Sequence, residues 1–211
     1  MVEWSLRAFA AVEAIGSVVL AAPPGAEGDF ADAIGSTGSA ETRVVAGGPS
    51  RSASVAAALA AVEPESELIV VHDAARPLVT PELIAALIDK LLDRPDAAAV
   101  IAATAITDTV KRAREPRPAR GEIERGGPTV AKTESRDHLW SAQTPQVFRA
   151  AALREALAAS PQRVVEATDD AWLVEKDGGK VLIHPAPAEN LKVTTSFDLR
   201  VAELLLAERG S

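Results

Sequence analysis

Short unbroken apolar runs alternate with stretches of helical period along this chain. Positions 17–22, 42–46, 67–71 and 97–103 are continuous rather than alternating runs, the pattern of strands buried on both faces. Pro23, Pro24 and Gly25 close the first run, and Gly47 and Gly48 close the second. Thr80, Pro81 and Glu82 predict an N-cap, a proline at the first helical position and an acidic first turn. Leu83, Ile84, Leu87, Ile88 and Leu91 then share one helical stripe. Ser50 predicts the cap of a helix carrying Val55, Leu59 and Val62. Thr195 with Asp198 predicts a capping box that opens a last helix bearing Leu199, Ala202, Leu205 and Leu206. The chain opens in an amphipathic helix with Val2, Leu6 and Phe9 on one stripe. Strand–helix alternation of this kind predicts an α/β fold with a mostly parallel sheet.

Two stretches break the pattern. Positions 113–136 hold Pro116, Pro118, Gly121, Gly126, Gly127 and Pro128 among many charges, and no core forms from them alone. Flanking positions 107–112 and 129–133 predict strands of an exposed arm. Such an arm either packs on a partner or is a surface loop. The second departure is at the front. Doubly wound domains open with a strand and a Gly-rich turn that cradles phosphate, whereas this sequence opens directly in its helix.

Composition narrows the function classes. At 211 residues the chain is expected to form one domain. Its net charge of −8 argues against a nucleic-acid partner, which needs a basic face. Aromatics are 3% of residues, so the core must be aliphatic. There is no cysteine, hence no disulfide, thiolate nucleophile or Cys-ligated zinc. His72, His138 and His184 are too widely spaced for a histidine metal motif. No apolar run is long enough for a membrane span, and the first residues carry no secretory leader pattern, so the expected location is the cytosol.

The sharpest chemical feature is His72-Asp73-Ala74-Ala75-Arg76-Pro77. Asp73 falls just past the carboxyl end of the third strand run, where open α/β sheets bind ligands. A carboxylate there suits Mg²⁺, which accepts one protein carboxylate together with substrate phosphates. Arg76 is placed to hold a phosphate or to lock Asp73; a plain turn pair is the alternative. His72 reads as a packed residue with a fixed tautomer. The turn at 46–54 lets a ligand approach Gly47 and Gly48 and offers Ser54, or it is a simple connector. Lys192, in the 190–195 segment, is a compact cation suited to phosphate or to plain solvent exposure. Positions 141–146 and 168–170 read as polar segments near turns or helix starts, with Thr168 as an N-cap.

Taken in order, these segments resemble the 2-C-methyl-D-erythritol 4-phosphate cytidylyltransferase family. The matching pieces are Gly47-Gly48 with Arg51, Ser54 and Val55; His72 to Pro77; Asp108-Thr109 with Lys111; Arg136 with Leu139-Trp140; Gln143-Thr144-Pro145-Gln146 with Phe148; Thr168-Asp169; and Asn190, Lys192, Val193 and Thr194. The resemblance covers almost the whole chain. It implies a Rossmann-like nucleotidyltransferase domain over 1–211, with a β-arm at about 106–136 that exchanges contacts in a homodimer. The implied reaction joins CTP and the sugar-alcohol phosphate, releasing pyrophosphate. By resemblance, Asp73 holds Mg²⁺ against the nucleotide phosphates, and Gly47, Gly48, Ser54, Ala74 and Arg76 line the nucleotide. Lys192 and Arg136 position the substrate phosphate, Arg136 reaching in from the other subunit. Thr109 and Thr144 help bind the sugar phosphate. A ribitol-phosphate cytidylyltransferase and a non-catalytic nucleotide-binding dimer are the alternatives.

Three departures accompany the resemblance. The family's first strand and Gly-rich loop are not matched, and positions 1–6 align with its first helix, so an internal methionine is the expected start of this sequence. Pro49 and Ala53 stand where the family often carries more polar residues. The arm loop at 112–127 is longer and more charged than usual.

Overall fold

The computed structural model describes residues 1–34, 41–114, 127–158 and 167–209. Helix α1 (Val2–Ala10) leads to β1 (Ser17–Ala22), α2 (Glu27–Ile34), β2 (Glu41–Ala46) and α3 (Arg51–Leu59). β1 and β2 pair in parallel, Ser17 opposite Glu41 through Ala22 opposite Ala46. Helix α2 had no clear signal in the sequence: only Ile34 is buried on it.

The second unit of pairing is a four-stranded sheet. It contains β3 (Leu68–Val71), β4 (Ala99–Ala105), β7 (Trp140–Arg149) and β8 (Val181–Pro185), in the order β3-β7-β4-β8. β4 and β8 are parallel, and β7 runs antiparallel to both β3 and β4. Three strands therefore share one direction, as a mostly parallel sheet requires, and the reversed strand lies between them. That reversed strand corrects one expectation. Positions 141–146 lie inside β7, the longest strand, rather than near a turn or helix start. Gln143, Thr144 and the Gln146 amide nitrogen bond to neighbours inside the fold, so much of the polarity reflects a buried network and not a loop.

Helices cover both faces of this sheet. On one side α4 (Pro81–Leu92) sets Leu83, Ile84, Leu87 and Leu91 against Val100 and Val147. On the other, α5 (Ala150–Leu157) and α6 (Asp170–Lys176) set Leu153 and Leu173 against Ile69 and Phe148. The predicted caps form. The Thr80 hydroxyl accepts from the Leu83 N–H at 3.3 Å, and Ser50 accepts from Ala53 at 3.2 Å. At the start of α7 (Ser196–Arg209), Asp198 Oδ2 accepts from the Thr195 N–H at 2.8 Å while Thr195 Oγ1 accepts from the Asp198 N–H at 3.2 Å. One cap is corrected: α6 is capped by Asp169, whose carboxylate accepts from the Trp172 N–H at 2.9 Å, and not by Thr168. A carboxylate one residue later satisfies the same orphan donors.

The sheets β1-β2 and β3-β7-β4-β8 are not joined by backbone pairing among the described residues. Between β1 and β3 runs a slot of about 1,100 Å³, lined by Leu6, Phe9, Val18, Leu20, Ile69 and Val71. The arm is a two-stranded ribbon, β5 (Lys111–Ala113) against β6 (Val130–Thr133), exposed at every position. Glu134 ties its base through Arg112 at 2.6 Å and Lys132 at 2.7 Å. Most of the long arm loop, 115–126, lies outside the described residues. Among the described residues no helix is long and apolar enough to cross a membrane.

Candidate active site

Three segments converge at the carboxyl ends of β2 and β3. The first is the turn from β2 into α3. Gly47 donates to the Ala22 carbonyl at 2.7 Å, and the Gly48 N–H donates to Ser54 Oγ at 3.1 Å. A Cβ on Gly48 would meet the Ala53 Cβ at 2.4 Å, so this turn lies against its own helix only because the residue is glycine. Ser54 in turn donates to the Ser50 carbonyl at 2.9 Å.

The second segment is the turn after β3. The Asp73 N–H donates to Thr144 Oγ1 at 2.9 Å, and Thr144 Oγ1 lies 3.1 Å from His72 Nδ1. His72 Nε2 faces the Arg76 carbonyl at 3.2 Å. A carbonyl accepts only, so Nε2 carries the proton and Nδ1 accepts from the Thr144 hydroxyl. That pattern needs a neutral ring, and burial pushes the His72 pKa down to about 4. The ring is thus packed and tautomer-fixed, with Phe9 at 5.4 Å.

The third segment is 190–195. The Val193 N–H donates to the Ala75 carbonyl at 2.8 Å, and Arg76 Nη1 donates to the Asn190 carbonyl at 2.8 Å. Asn190, itself buried, donates from Nδ2 to Gln143 Oε1 at 2.8 Å and to the Thr144 carbonyl at 2.9 Å. β7 is therefore the polar backbone of the site. It anchors the Asp73 turn through Thr144 and the Lys192 segment through Gln143.

Asp73 is where the charges meet. Its Oδ1 accepts from Arg51 Nε at 3.0 Å and its Oδ2 from Lys192 Nζ at 2.8 Å. Burial pushes its carboxyl up, but the hydrogen bonds from Lys192 and Arg51 outweigh this and leave it below the usual carboxylate range. Arg51 also donates from Nη1 to Asp170 Oδ2 at 2.7 Å. The Asp170 side chain has no solvent exposure, and burial raises its carboxyl above the ordinary value despite Arg51. Its other oxygen has no hydrogen-bond partner among the described residues. Two carboxylates and two cations thus form one nearly neutral group.

The sequence-derived residues separate into two sets. Asp73, Lys192, Thr144 and Arg76 are brought together, with Ala74 exposed beside them; Gly47, Gly48 and Ser54 form the adjoining turn. The Arg76 main-chain N–H donates to the Asp73 carbonyl at 2.9 Å, but its guanidinium braces the Asn190 segment rather than the Asp73 carboxylate, and burial lowers its pKa. Thr109 and Arg136 are exposed at the arm, and Arg136 donates to the Thr107 carbonyl rather than to this cluster. Sequence reasoning gave no role to Arg51 or Asp170. Arg51 stood in the matched 47–55 segment without a role, and Asp170 stood beside Asp169, where one acid caps a helix and the other is buried.

No three His, Cys, Asp or Glu side chains gather as a metal cage among the described residues. Asp73 is a single, half-open carboxylate flanked by cations. It fits a divalent cation held mainly by ligand phosphates, the mode Mg²⁺ favours.

Residues 1–208 match the family model for 2-C-methyl-D-erythritol 4-phosphate cytidylyltransferase (IspD). The enzyme of that name from Acidobacterium capsulatum is 38% identical over 211 residues, covering 98% of this chain and 83% of that protein. The one from Bordetella petrii is 41% identical, covering 96% and 84%. The fold is similar to the crystal structure of 4-diphosphocytidyl-2C-methyl-D-erythritol synthase from Anaerococcus prevotii, with a TM-score of 0.79 and 28% identity over 98% of this chain and 88% of that one. The order of motifs, the mixed sheet with its arm and this whole-chain match agree: the chain belongs to the 2-C-methyl-D-erythritol 4-phosphate cytidylyltransferase family.

Proposed function

We propose that this chain is a CTP-dependent cytidylyltransferase acting on 2-C-methyl-D-erythritol 4-phosphate, within isoprenoid biosynthesis. The observation that carries the reading is Asp73 at the end of β3, held between Arg51 and Lys192 beside the Gly47–Gly48 turn. In the reaction a phosphate oxygen of the substrate bonds to the α-phosphorus of CTP. The bond from that phosphorus to the bridging oxygen breaks, and the electron pair leaves with pyrophosphate.

A phosphate monoester with a second pKa of about 6 is mostly dianionic at neutral pH, so the nucleophile needs no general base. The site agrees with that. His72 has both ring nitrogens engaged and stays neutral. Catalysis then rests on positioning and on charge compensation. Asp73 is the residue to hold a divalent cation, taken here to be Mg²⁺; when bound, that cation supplies positive charge to the triphosphate oxygens. Lys192 offers a mobile ammonium for phosphate, and its release from Asp73 leaves Oδ2 free. The backbone of Gly47 and Gly48 and the Ser54 hydroxyl face the nucleoside, with Ala74 and Arg76 bordering it. Thr144 orients the Asp73 turn on the side of the sugar phosphate.

Arg136 and Thr109 complete the substrate site in a homodimer, where the exposed β5-β6 arm carries them to the partner's cluster. Their separation from Asp73 within one chain supports this reading. Residues 1–211 act as one domain, in the cytosol, where CTP is available.

The test is pyrophosphate release with CTP and a divalent cation, comparing methylerythritol phosphate with ribitol phosphate. Release with the first and at least tenfold less with the second is expected. The reverse preference would assign the ribitol substrate. Binding of CTP without release would assign a binding-only dimer. For the arm, mixed dimers of Arg136→Ala and Asp73→Asn chains are expected to regain activity that neither parent has, and no recovery would place Arg136 in its own chain's site.

A further inference from the structure

Arg51 and Lys192 both neutralise Asp73, but they are held very differently. Arg51 is the first residue of α3, and its guanidinium spans two carboxylates, Asp73 at 3.0 Å and Asp170 at 2.7 Å. Asp170 is fully buried, and among the described residues its recorded hydrogen bonds and ion pairs are all to Arg51. Removing Arg51 would leave a buried charge without its counter-charge, so Arg51 is fixed where it is. Lys192 has a side chain that is 42% exposed, and its one recorded contact is the Asp73 carboxylate.

The cluster carries two negative and two positive charges. A divalent cation arriving at Asp73 must therefore displace a resident cation or raise the local charge. The singly tethered ammonium yields at lower cost than the guanidinium, which is similarly exposed at 32% but is tied to two carboxylates, one of them fully buried. We propose that Arg51, pinned by Asp170, is a positioning residue: it keeps Asp73 Oδ1 occupied and so presents Oδ2 to the metal–nucleotide, with Lys192 as the exchangeable placeholder at that oxygen. This rests on the reading of Asp73 as the metal-holding carboxylate.

The roles of the two partners follow from their chemistry. The planar fork of arginine meets two carboxylates along separate N–H directions, which the single ammonium of lysine cannot do. Arg51→Lys therefore keeps the charge and loses the geometry. Asp170→Asn keeps the shape and loses the anchor. Both act on the same unit, so combining them is expected to cost little more than either alone.

The experiment is the binding of Mn²⁺ in the presence of CTP, followed by the electron paramagnetic resonance signal of free Mn²⁺. Folding of each variant is checked by circular dichroism, and pyrophosphate release is measured against Mg²⁺ concentration. At least tenfold weaker Mn²⁺ binding is expected for Arg51→Lys and for Asp170→Asn, with a matching rise in the Mg²⁺ needed for half-maximal rate. A binding curve that superposes on the unmodified chain's, with only a lower melting temperature, overturns the proposal and leaves a purely structural tie.

Should either variant fail to fold, the unmodified chain decides. Its Arg51 Nε–H nuclear magnetic resonance signal is expected to persist when Mg²⁺ and CTP are added, while the Lys192 ammonium signal shifts. Loss of the Arg51 signal on addition would overturn the proposal. An unmodified chain that binds no Mn²⁺ with CTP would overturn the metal reading of Asp73 itself. Binding there with unaltered variants overturns only the role of Arg51.

Discussion

The sheet that holds β3, β7, β4 and β8 and the pair formed by β1 and β2 are packed to different standards. In the first, Ile84, Leu87, Leu91, Val100, Val147, Phe148 and Leu153 have no exposed surface, and helices cover both faces. In the second, β1 is buried at Ala22 alone, β2 is buried nowhere, and β1 faces the slot. The candidate site lies where the two meet: Gly47, Gly48, Arg51 and Ser54 come from the looser half, and Asp73, Thr144, Asp170 and Lys192 from the tighter one. Stability and charged side chains are thus divided unequally between the two halves. The tight half fixes the carboxylates, and the looser half brings a cation and a glycine turn to them.

Cavities opened in the two halves are expected to differ most in cost. Leu87→Ala, in the middle of α4, is expected to cost about 3 kcal/mol by urea denaturation, within the usual range for a fully buried leucine. Leu20→Ala, on β1 beside the slot, is expected to cost less than about 1.5 kcal/mol, because its side chain already borders open space. Equal costs would erase the distinction between the halves.

The histidine beneath the site gives an effect of up to about 3 kcal/mol. His72 is neutral in the fold, with a pKa of about 4, against an ordinary value of 6.5. Between those values the unfolded chain takes up a proton that the folded chain refuses. Its contribution is therefore intact above pH 6.5, is lost as pH falls towards 4, and changes no further below that. Denaturation at pH 7.0 and pH 4.5 is expected to show a larger loss for the unmodified chain than for His72→Gln. An identical pH response in the two would contradict the neutral, doubly bonded ring.

The helix caps of the two halves differ least in cost. Thr80→Ala removes the cap of α4 and is expected to cost about 1 kcal/mol. Ser50→Ala removes the cap of α3 and is expected to cost about the same or less. Only Ser50→Ala is expected to disturb CTP binding, since the cap it removes opens the helix whose Ser54 receives the Gly48 N–H of the glycine turn. Calorimetry of CTP binding checks this, and an equal loss in Thr80→Ala would count against the assignment of that turn.

Much of this architecture was legible in the sequence because its signals are local. The apolar runs at 17–22 and 67–71, the stripe of Leu83 to Leu91 and the Thr195–Asp198 box each declare an element within a few residues. β7 was not legible, because its polar residues are satisfied from far away in sequence. Gln143 reaches Thr104 at 3.0 Å and Gln146 reaches Asp169 at 2.9 Å, so a buried strand reads as a polar segment. The same reason hid Arg51 and Asp170, whose contact spans 119 residues. Asp73 stood out because a strand end and a carboxylate adjoin there. Arg136 and Thr109 carry no such local sign, and within one chain the fold leaves them on the arm.

The central claim is that Asp73 organises cation-dependent transfer without holding the fold together. Its most direct test is pyrophosphate release from CTP and methylerythritol phosphate by Asp73→Asn beside the unmodified chain, with thermal unfolding of both. The account predicts a loss of about 10³-fold or more in rate, with a melting temperature within a few degrees of the unmodified chain's. A folded Asp73→Asn chain that releases pyrophosphate at the unmodified rate, with the same dependence on Mg²⁺, would contradict it.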